Sequence, residues 1–210
     1  IKKNKAVLYV NVGDYKNVWD ELIRDIPQMR ELATEHFDNW KDTKAFATKA
    51  LSASQINNSD VVTDNNRDDN SKNITADNSS EDTSDNITGI HGFYHKNIFE
   101  AVYCTNLLMR SADVLVTKPS ELAFYPVPKL FIKRVGGHEQ WGAVHSAEIG
   151  DGTLECRDIP HTLQMIKLFM EDDTYIIDMC RNIKKNKQMG IYNGAYEAVK
   201  LAVNMKKSDI

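Results

Sequence analysis

The sequence predicts an α/β fold in which a parallel sheet is flanked by helices on both faces. Short apolar runs of strand length alternate with segments whose apolar residues recur at helix spacing. Continuous apolar runs are typical of strands that are covered on both faces. The chain has 210 residues, 41% of them hydrophobic, which is enough for one domain to bury a core. We therefore expect a single domain spanning residues 1–210, interrupted by one polar insertion.

The region before the insertion contains one strand and two helical patterns. Residues 6–12 form a nearly continuous apolar run, which predicts a buried strand. Apolar residues then recur at helix spacing over residues 18–26, and Pro27 ends that pattern. A second helical pattern spans residues 29–51.

The insertion is a polar tract at residues 52–88 that has no aromatic residue. Its eight acidic residues against Arg67 and Lys72 give it a charge of −6, which leaves +2 for the rest of the chain. Such a composition buries too little apolar surface to offset the entropy of ordering. We predict a disordered insertion, and we expect its deletion to leave the melting temperature nearly unchanged.

Strand and helix signals alternate after the insertion. Strands are expected at residues 89–93, 113–117 and 129–132. Helices are expected at residues 98–110, 120–125, 139–149, 159–170, 172–185 and 192–205. We expect all strands to join one parallel sheet, whose ligands would bind beyond the carboxyl ends of the strands. Functional residues should therefore follow Val12, Phe93, Val116 and Ile132.

Composition argues against several classes of protein. Outside the insertion the charge is nearly balanced, which does not indicate a nucleic-acid partner. The apolar runs are shorter than the ~20 residues of a membrane span, and the first residues do not form the apolar helix of a signal peptide. The three cysteines, Cys104, Cys156 and Cys180, are too scattered for a disulfide framework or a metal motif. We expect a cytoplasmic protein that holds no metal or other cofactor.

The loop after Val116 has the composition of a phosphate-binding turn. Pro119 stands at the start of a short helical pattern and Ser120 is a typical capping residue, so backbone N–H groups there can meet a phosphate. Lys118 adds a positive charge beside them. Spacing alone favours a plainer alternative, a capped helix beside a solvated lysine.

Two stretches around the strand ends carry the pattern of a known family. Residues 111–128 read SADVLVTKPSELAFYPVP, and residues 137–143 read GHEQWGA after the next strand. The order and spacing of these pieces, from about residue 89 to residue 157, resemble MurG-type N-acetylglucosaminyltransferases and monogalactosyldiacylglycerol synthases. The resemblance implies a Rossmann-like domain, the C-terminal half of a GT-B glycosyltransferase, which binds a UDP-sugar as substrate.

The resemblance also implies roles for individual residues. Glu121 aligns with the family glutamate that accepts hydrogen bonds from the ribose hydroxyls, a role that suits a carboxylate. Gln140 aligns with a glutamine that contacts the donor sugar, and His138 and Glu139 lie in the loop near sugar and phosphates. The implied donor-site residues are Phe93, Tyr94, Lys118, Ser120, Glu121, His138, Glu139 and Gln140.

Two of these assignments have structural alternatives. Phe93 and Tyr94 lie where the family contacts the nucleotide base, but core packing explains Phe93 equally well. Glu121 is also explained as a first-turn acid that interacts with the helix dipole, an effect of roughly 0.5 kcal/mol.

The sequence departs from the family pattern in three places. The glycine-rich stretch before the Glu helix is shortened to Pro119-Ser120, and Trp141-Gly142-Ala143 replaces the usual Asn-Ala. Residues 6–12 align with the second strand of the family domain. We therefore expect the first strand, its phosphate loop and the acceptor-binding domain to be missing from this chain.

The function expected from this resemblance is binding of a UDP-sugar for transfer to a lipid or cell-envelope acceptor. The general base of such enzymes normally comes from the other domain, so we assign no catalytic residue here. A separate domain or subunit would bind the acceptor, and membrane contact would occur only through that partner. A non-catalytic sugar-nucleotide-binding module and an inactive fragment are the alternatives.

Overall fold

A computed structural model describes residues 6–59 and 87–208, and the chain divides after Ser111 into two compact units. Each unit contains a small parallel sheet with helices packed against it. The mixed α/β class is thereby confirmed. The expected single sheet is wrong for the described residues, because their strands form a three-stranded sheet in the first unit and a two-stranded sheet in the second.

The first unit is built around a sheet with the strand order β1-β3-β2, parallel throughout. Its elements are β1 (Val7–Asn11), α1 (Lys16–Asp25), α2 (Pro27–Leu32), β2 (Ala33–Phe37), α3 (Trp40–Ser59), β3 (Gly89–Tyr94) and α4 (Ile98–Leu108). The central strand β3 pairs with β1 on one side and with β2 on the other. The first strand of the second unit follows in sequence but pairs elsewhere.

Strand β2 is a correction to the sequence interpretation, which placed a continuous helix over residues 29–51. Residues 33–37 pair in parallel with β3 over their whole length. Their apolar spacing fits a helix, but pairing with a central strand outweighs this local preference. Helix α3 also continues to Ser59, so residues 52–59 of the expected insertion are helical. Residues 60–86 of the expected insertion lie outside the described residues.

Both faces of the first sheet are covered, as its apolar strands predict. On one face, Trp19 from α1 packs with Met29 and Ile90. A Cβ at Gly92 would lie 2.3 Å from the Trp19 ring, so the close approach of the indole to β3 requires glycine at this position. On the other face, Phe93 packs with buried residues of α4 and with aromatic side chains of β1 and α3.

The second unit has a sheet of two short parallel strands. Its elements are β4 (Leu115–Thr117), β5 (Lys129–Phe131), α5 (Gln140–Ile149), α6 (Ile159–Glu171), α7 (Thr174–Gln188) and α8 (Gly194–Ser208), with 3-10 turns at Glu121–Phe124, Gly137–Glu139 and Ile191–Asn193. A single parallel bridge joins Lys129 to Gly152 on the far side of β5. All of the expected strands and helices of this region are present, with shorter strands.

Helices also cover both faces of the second sheet. Phe131 packs with Ala123 and Ala143 on the side of α5. Leu130, which precedes Phe131 in β5, packs with Cys156 and Phe169 on the side of α6. This alternation along β5 places neighbouring side chains on opposite faces. In the described part of the chain, no helix combines the length and apolarity that crossing a bilayer requires.

Candidate functional site at the carboxyl edge of the second sheet

Two loops that follow neighbouring strands are joined by an ion pair. Lys118 directly follows β4, and Glu139 lies in the loop after β5. The Lys118 Nζ donates to Glu139 Oε1 at 2.6 Å. The lysine side chain keeps 43% of its surface exposed, whereas the glutamate side chain keeps 6%. The Lys118 ammonium group is therefore accessible to a ligand, and the buried Glu139 carboxylate holds it in position.

The Glu139 carboxylate organises the loop after β5. Its Oε2 accepts hydrogen bonds from the backbone N–H of Val135 at 2.8 Å and of Gly136 at 3.1 Å. The Lys118 hydrogen bond and these two amides lower the pKa of Glu139 to about 2. Glu139 is thus ionised near neutral pH. The amides that a phosphate would seek in this loop are already bound by a side chain of the protein.

Glu121 lies at the same edge of the sheet. It is the first residue of the 3-10 turn after β4 and is exposed. Hydrogen bonds from its own backbone N–H and from the Ser120 side chain lower its pKa, and the charge of Lys118 adds to this effect. The position on a short helical turn after β4 is the one expected from the sequence. Its contact with a ribose stays a prediction.

The sequence predicted the start of a phosphate-binding helix after Pro119, and the structure corrects this prediction. The turn that follows is a four-residue 3-10 helix, which has too few aligned peptides for a substantial dipole. The Ser120 side chain does not cap this turn. Instead it bonds to the Glu121 carboxylate, and the Ser120 carbonyl accepts from the Ala123 N–H at 2.9 Å. A ligand at this loop would meet side chains rather than a row of free amides.

Close backbone packing positions the loop after β4 against α5. A Cβ at Gly142 would lie 2.4 Å from the carbonyl oxygen of Pro119, so the helix can approach the loop only with glycine there. Ser146, one turn further along α5, donates to the Ala123 carbonyl at 3.1 Å. The family-pattern departure at Gly142 therefore has a structural reason in this chain.

His138 and Gln140 flank Glu139 and are both exposed. A Cβ at Gly136 would lie 2.7 Å from the ring of His138, an exposed side chain that can move aside. Neither Gly136 nor Gly137 has a positive φ. The two glycines were expected to provide backbone freedom, but neither adopts a conformation that only glycine favours.

A second ion pair at this edge was not found from the sequence. Arg134 donates from its backbone N–H to Glu155 Oε1 at 2.8 Å, and its guanidinium lies 3.1 Å from Glu155 Oε2. The segment containing Glu155 runs beside the end of β5, where the Cys156 N–H donates to the Phe131 carbonyl at 2.9 Å. This segment pairs with β5 through a single bridge at Gly152 and contains no apolar run. Its position beside β5 could therefore not be predicted from the sequence.

The structure places Phe93 and Tyr94 in the first unit. Phe93 is completely buried, and its ring stacks on the His36 ring with centroids 4.8 Å apart. Tyr94 is also buried. The position of Phe93 favours the core-packing interpretation over contact with a base. The other six implied residues belong to the second unit.

The carboxyl edge of the first sheet carries its own polar cluster. Asp38, which follows β2 with a φ of 49°, pairs with Lys96 at 2.9 Å. His95 follows β3 and is fully buried, its Nε2 lies 3.3 Å from the Thr43 hydroxyl, and its Nδ1 has no hydrogen-bond partner among the described residues. Burial lowers the pKa of His95. Sequence reasoning pointed to the strand ends but did not identify these side chains.

No group of three or more His, Cys, Asp or Glu side chains within residues 6–59 and 87–208 is arranged to hold a metal ion. The chemistry of the described edge clusters is that of charged hydrogen bonds. At the second sheet they comprise Lys118, Arg134, Glu121, Glu139 and Glu155.

Comparison with known proteins identifies a family. The model of a family described as "Domain of unknown function (DUF6938)" matches residues 1–78 and residues 53–203. These two ranges overlap and together extend over most of the 210 residues. No curated protein and no solved structure matches the chain. The chain belongs to the DUF6938 family.

Proposed function

We propose that the second unit binds a UDP-sugar at the carboxyl edge of β4 and β5, as the donor-binding part of a glycosyltransferase. The observation that carries the proposal is the meeting of Lys118, Glu121 and Glu139 from two loops at one sheet edge. Parallel α/β sheets bind their ligands at this edge. The resemblance of residues 111–143 to GT-B donor domains supports the choice of ligand.

Glu121 is the residue that would recognise the ribose. Its carboxylate is ionised and exposed, and it offers two oxygens to the two adjacent hydroxyl donors of a ribose. Hydrogen bonds to a charged group contribute about 1.5–3 kcal/mol each. Recognition through ribose hydroxyls would be independent of the sugar carried by the nucleotide.

Lys118 is the residue that would meet the diphosphate. Its ammonium group has three N–H donors, one of which is directed to Glu139. The neighbouring carboxylates raise its pKa, so it stays charged at any physiological pH. Glu139 itself accepts three donors from the protein, and its role in this proposal is to hold Lys118 and the loop after β5 in place.

Sugar transfer needs a base that activates the acceptor, and the three carboxylates described at this edge already have other partners or roles. Glu139 and Glu155 are each held by a cation, and Glu121 is assigned to the ribose. We propose that the base and the acceptor site come from another domain or subunit, which would present a lipid or cell-envelope acceptor to the bound donor. The closely related alternative, sugar-nucleotide binding without transfer, shares this donor site and differs only in that partner.

Titration of the protein with UDP in an isothermal calorimeter tests the donor site. We expect saturable binding that weakens about 10- to 150-fold in Glu121→Gln, since the variant keeps the size of the side chain and loses the charged acceptor. Lys118→Met should also weaken binding. Glu148→Gln removes an exposed carboxylate from α5 and should leave the affinity unchanged.

Two results would refute the proposed function. The first is the absence of measurable UDP binding in the parent protein. The second is a lower melting temperature for Glu121→Gln with unchanged UDP affinity, since that outcome assigns the carboxylate to local structure. Transfer of a labelled sugar to an acceptor only after a partner protein is added would separate the transferase from the binding module.

A further inference from the structure

Three histidines lie under helix α3, on a sheet face where parallel strands normally carry aliphatic side chains. His36 belongs to β2, His91 belongs to β3, and His95 directly follows β3. His91 and His95 are buried, and His36 is half-buried. His91 and His95 alternate with their neighbours along the chain and share the face of Phe93. An ionisable layer therefore lies between the sheet and the helix.

The rings of His36 and His91 are joined by a hydrogen bond. Nε2 of His36 lies 3.2 Å from Nδ1 of His91, and Nε2 of His91 lies 3.0 Å from the carbonyl oxygen of Thr88. A carbonyl oxygen can only accept, so Nε2 of His91 carries a proton and its Nδ1 accepts from His36. His91 is neutral in this arrangement, because a second proton, on its Nδ1, would place two N–H groups face to face.

Helix α3 covers this pair with the ring of Phe46. The Phe46 ring centroid lies 4.9 Å from that of His36 and 4.5 Å from that of His91. Phe93 stacks on His36 at 4.8 Å, and Tyr9 from β1 approaches His91 at 6.3 Å. The packing of α3 on the sheet therefore depends on contacts between aromatic rings and uncharged imidazoles.

His95 adds a third imidazole to this layer. It is completely buried, its Nε2 lies 3.3 Å from the hydroxyl of Thr43 on α3, and its Nδ1 has no hydrogen-bond partner among the described residues. The ring of Trp40, at the start of α3, packs edge-on against it at 5.7 Å. A charged imidazole has two N–H donors, so a proton taken up by His95 would leave one donor of a buried cation without an acceptor here.

Burial is the largest influence on all three rings, and it lowers the pKa of each. Nearby carboxylates raise these pKa values by less. In the described part of the chain, the charged or titratable side chains that face the rings from other elements are Asp42 and Tyr9 for the pair, and Glu100 and the Lys96-paired Asp38 for His95. Cys104 of α4 packs on Phe93 and stays neutral, because burial raises its pKa to about 12.

We propose that the interface between α3 and the first sheet is an acid-sensitive switch, closed while His36, His91 and His95 are neutral and opened when they bind protons. Opening exposes the apolar surfaces that α3 and the sheet cover in each other. The unfolded chain binds these protons near pH 6.5 and the folded unit only at lower pH, so stability falls as pH drops below about 6.5. Each such histidine can change the unfolding equilibrium by up to about tenfold per pH unit.

Hydrogen–deuterium exchange of the full chain, read by mass spectrometry and corrected for the intrinsic exchange rate, tests the proposal. Between about pH 7.5 and about pH 5.5 carboxyl groups stay largely ionised, so histidines dominate the change in charge. We expect the protection of β2 and α3 to fall at least about tenfold over this range, while that of α5 and α7 stays constant. His36→Phe/His91→Phe keeps the aromatic rings, removes both partners of the hydrogen bond together and should make the loss at least about tenfold smaller.

His138→Gln is the matched control, because it removes an exposed histidine of the second unit and should show the same loss as the parent. An NMR titration of the imidazole protons in the parent protein does not depend on the folding of any variant. In it, His36, His91 and His95 should take up protons only below about pH 6.5.

Four results would overturn the switch. They are unchanged protection of α3 at the lower pH, equal loss of protection in both units, an undiminished loss in His36→Phe/His91→Phe, and titration of all six histidines at the ordinary value. Because no nucleotide is present, these outcomes are separate from failure of the UDP site.

Discussion

The second unit contains two lysine–carboxylate pairs at opposite ends of the same two strands. At the amino end of β5, Lys129 lies 2.8 Å from Asp151, and both side chains are completely buried. At the carboxyl end of β4, Lys118 lies 2.6 Å from Glu139, and the lysine is 43% exposed. The chemical groups are the same kind, but their access to solvent and ligands differs.

In the buried pair the lysine is fully hydrogen-bonded, whereas Asp151 Oδ1 has no hydrogen-bond partner among the described residues. Besides Asp151, the Lys129 Nζ donates to the carbonyl oxygens of Tyr125 at 2.8 Å and Val127 at 3.0 Å, which uses all three of its donors. Tyr192 donates its hydroxyl to Asp151 at 2.8 Å, and burial raises the pKa of Tyr192 to about 12. Burial lowers the pKa of Lys129 although Asp151 opposes this effect. These groups tie the turn before α8 to the sheet.

The edge pair holds a cation in a reachable position. Glu139 is covered and receives three donors, so its geometry is determined by the protein, whereas the exposed part of Lys118 faces water. The comparison shows that a lysine–carboxylate pair can serve either stability or recognition. What decides between them is whether the backbone closes over the lysine, as it does at the start of β5, or leaves it open, as it does after β4.

Removing the buried cation should have the largest effect. Lys129→Met leaves the Asp151 charge buried with only Tyr192 as a donor, and breaking a buried ion pair destabilises a protein by about 3–5 kcal/mol. The free energy of unfolding from urea denaturation measures this effect. Lys118→Met at the exposed pair is the control and should destabilise the protein much less. Equal losses of unfolding free energy in the two variants would show that burial does not make the two ion pairs differ in their contribution to stability.

Disturbing the packing that positions the edge pair should have an intermediate effect. Gly142→Ala forces a Cβ toward the Pro119 carbonyl at 2.4 Å, and overpacking of this kind typically destabilises by ~1–3 kcal/mol. The loop that carries Lys118 and Glu121 would shift, so UDP affinity should fall along with the melting temperature. Gly137→Ala, where a Cβ meets no atom within 4 Å, should change neither measurement. If Gly142→Ala lowers the melting temperature but binds UDP with normal affinity, the position of this loop does not determine UDP binding.

The acid sensitivity of the edge pair tests the comparison in a third way. The pKa of Glu139 in the folded protein is about 2, below its ordinary value of 4.5. A carboxyl group whose folded pKa is depressed stabilises the protein above its unfolded pKa, and this contribution is lost as pH falls from about 4.5 towards 2. The difference in unfolding free energy between the parent and Glu139→Gln should therefore shrink over this pH range. A difference that is constant with pH would contradict the ionised pair.

The sequence by itself determined the α/β class and the order of most elements. Apolar runs predicted β1, β4 and β5, since strands covered on both faces are apolar at successive positions, and the short segment at residues 89–93 was also predicted as a strand. The same pattern placed Lys118 and Glu121 directly after β4, at the edge where parallel sheets bind ligands. Local composition is sufficient for such features because each depends on a short stretch of chain.

Only the tertiary structure decided which residues meet. Residues 33–37 became a strand because β3 offered a pairing edge, and Gly92 became necessary because Trp19 lies on it. The family resemblance implied a ligand contact for Glu139. In the structure Glu139 binds Lys118, which is 21 positions away in sequence. Contacts between distant segments depend on the geometry of the whole sheet, and this geometry leaves no periodic signal in the residues themselves.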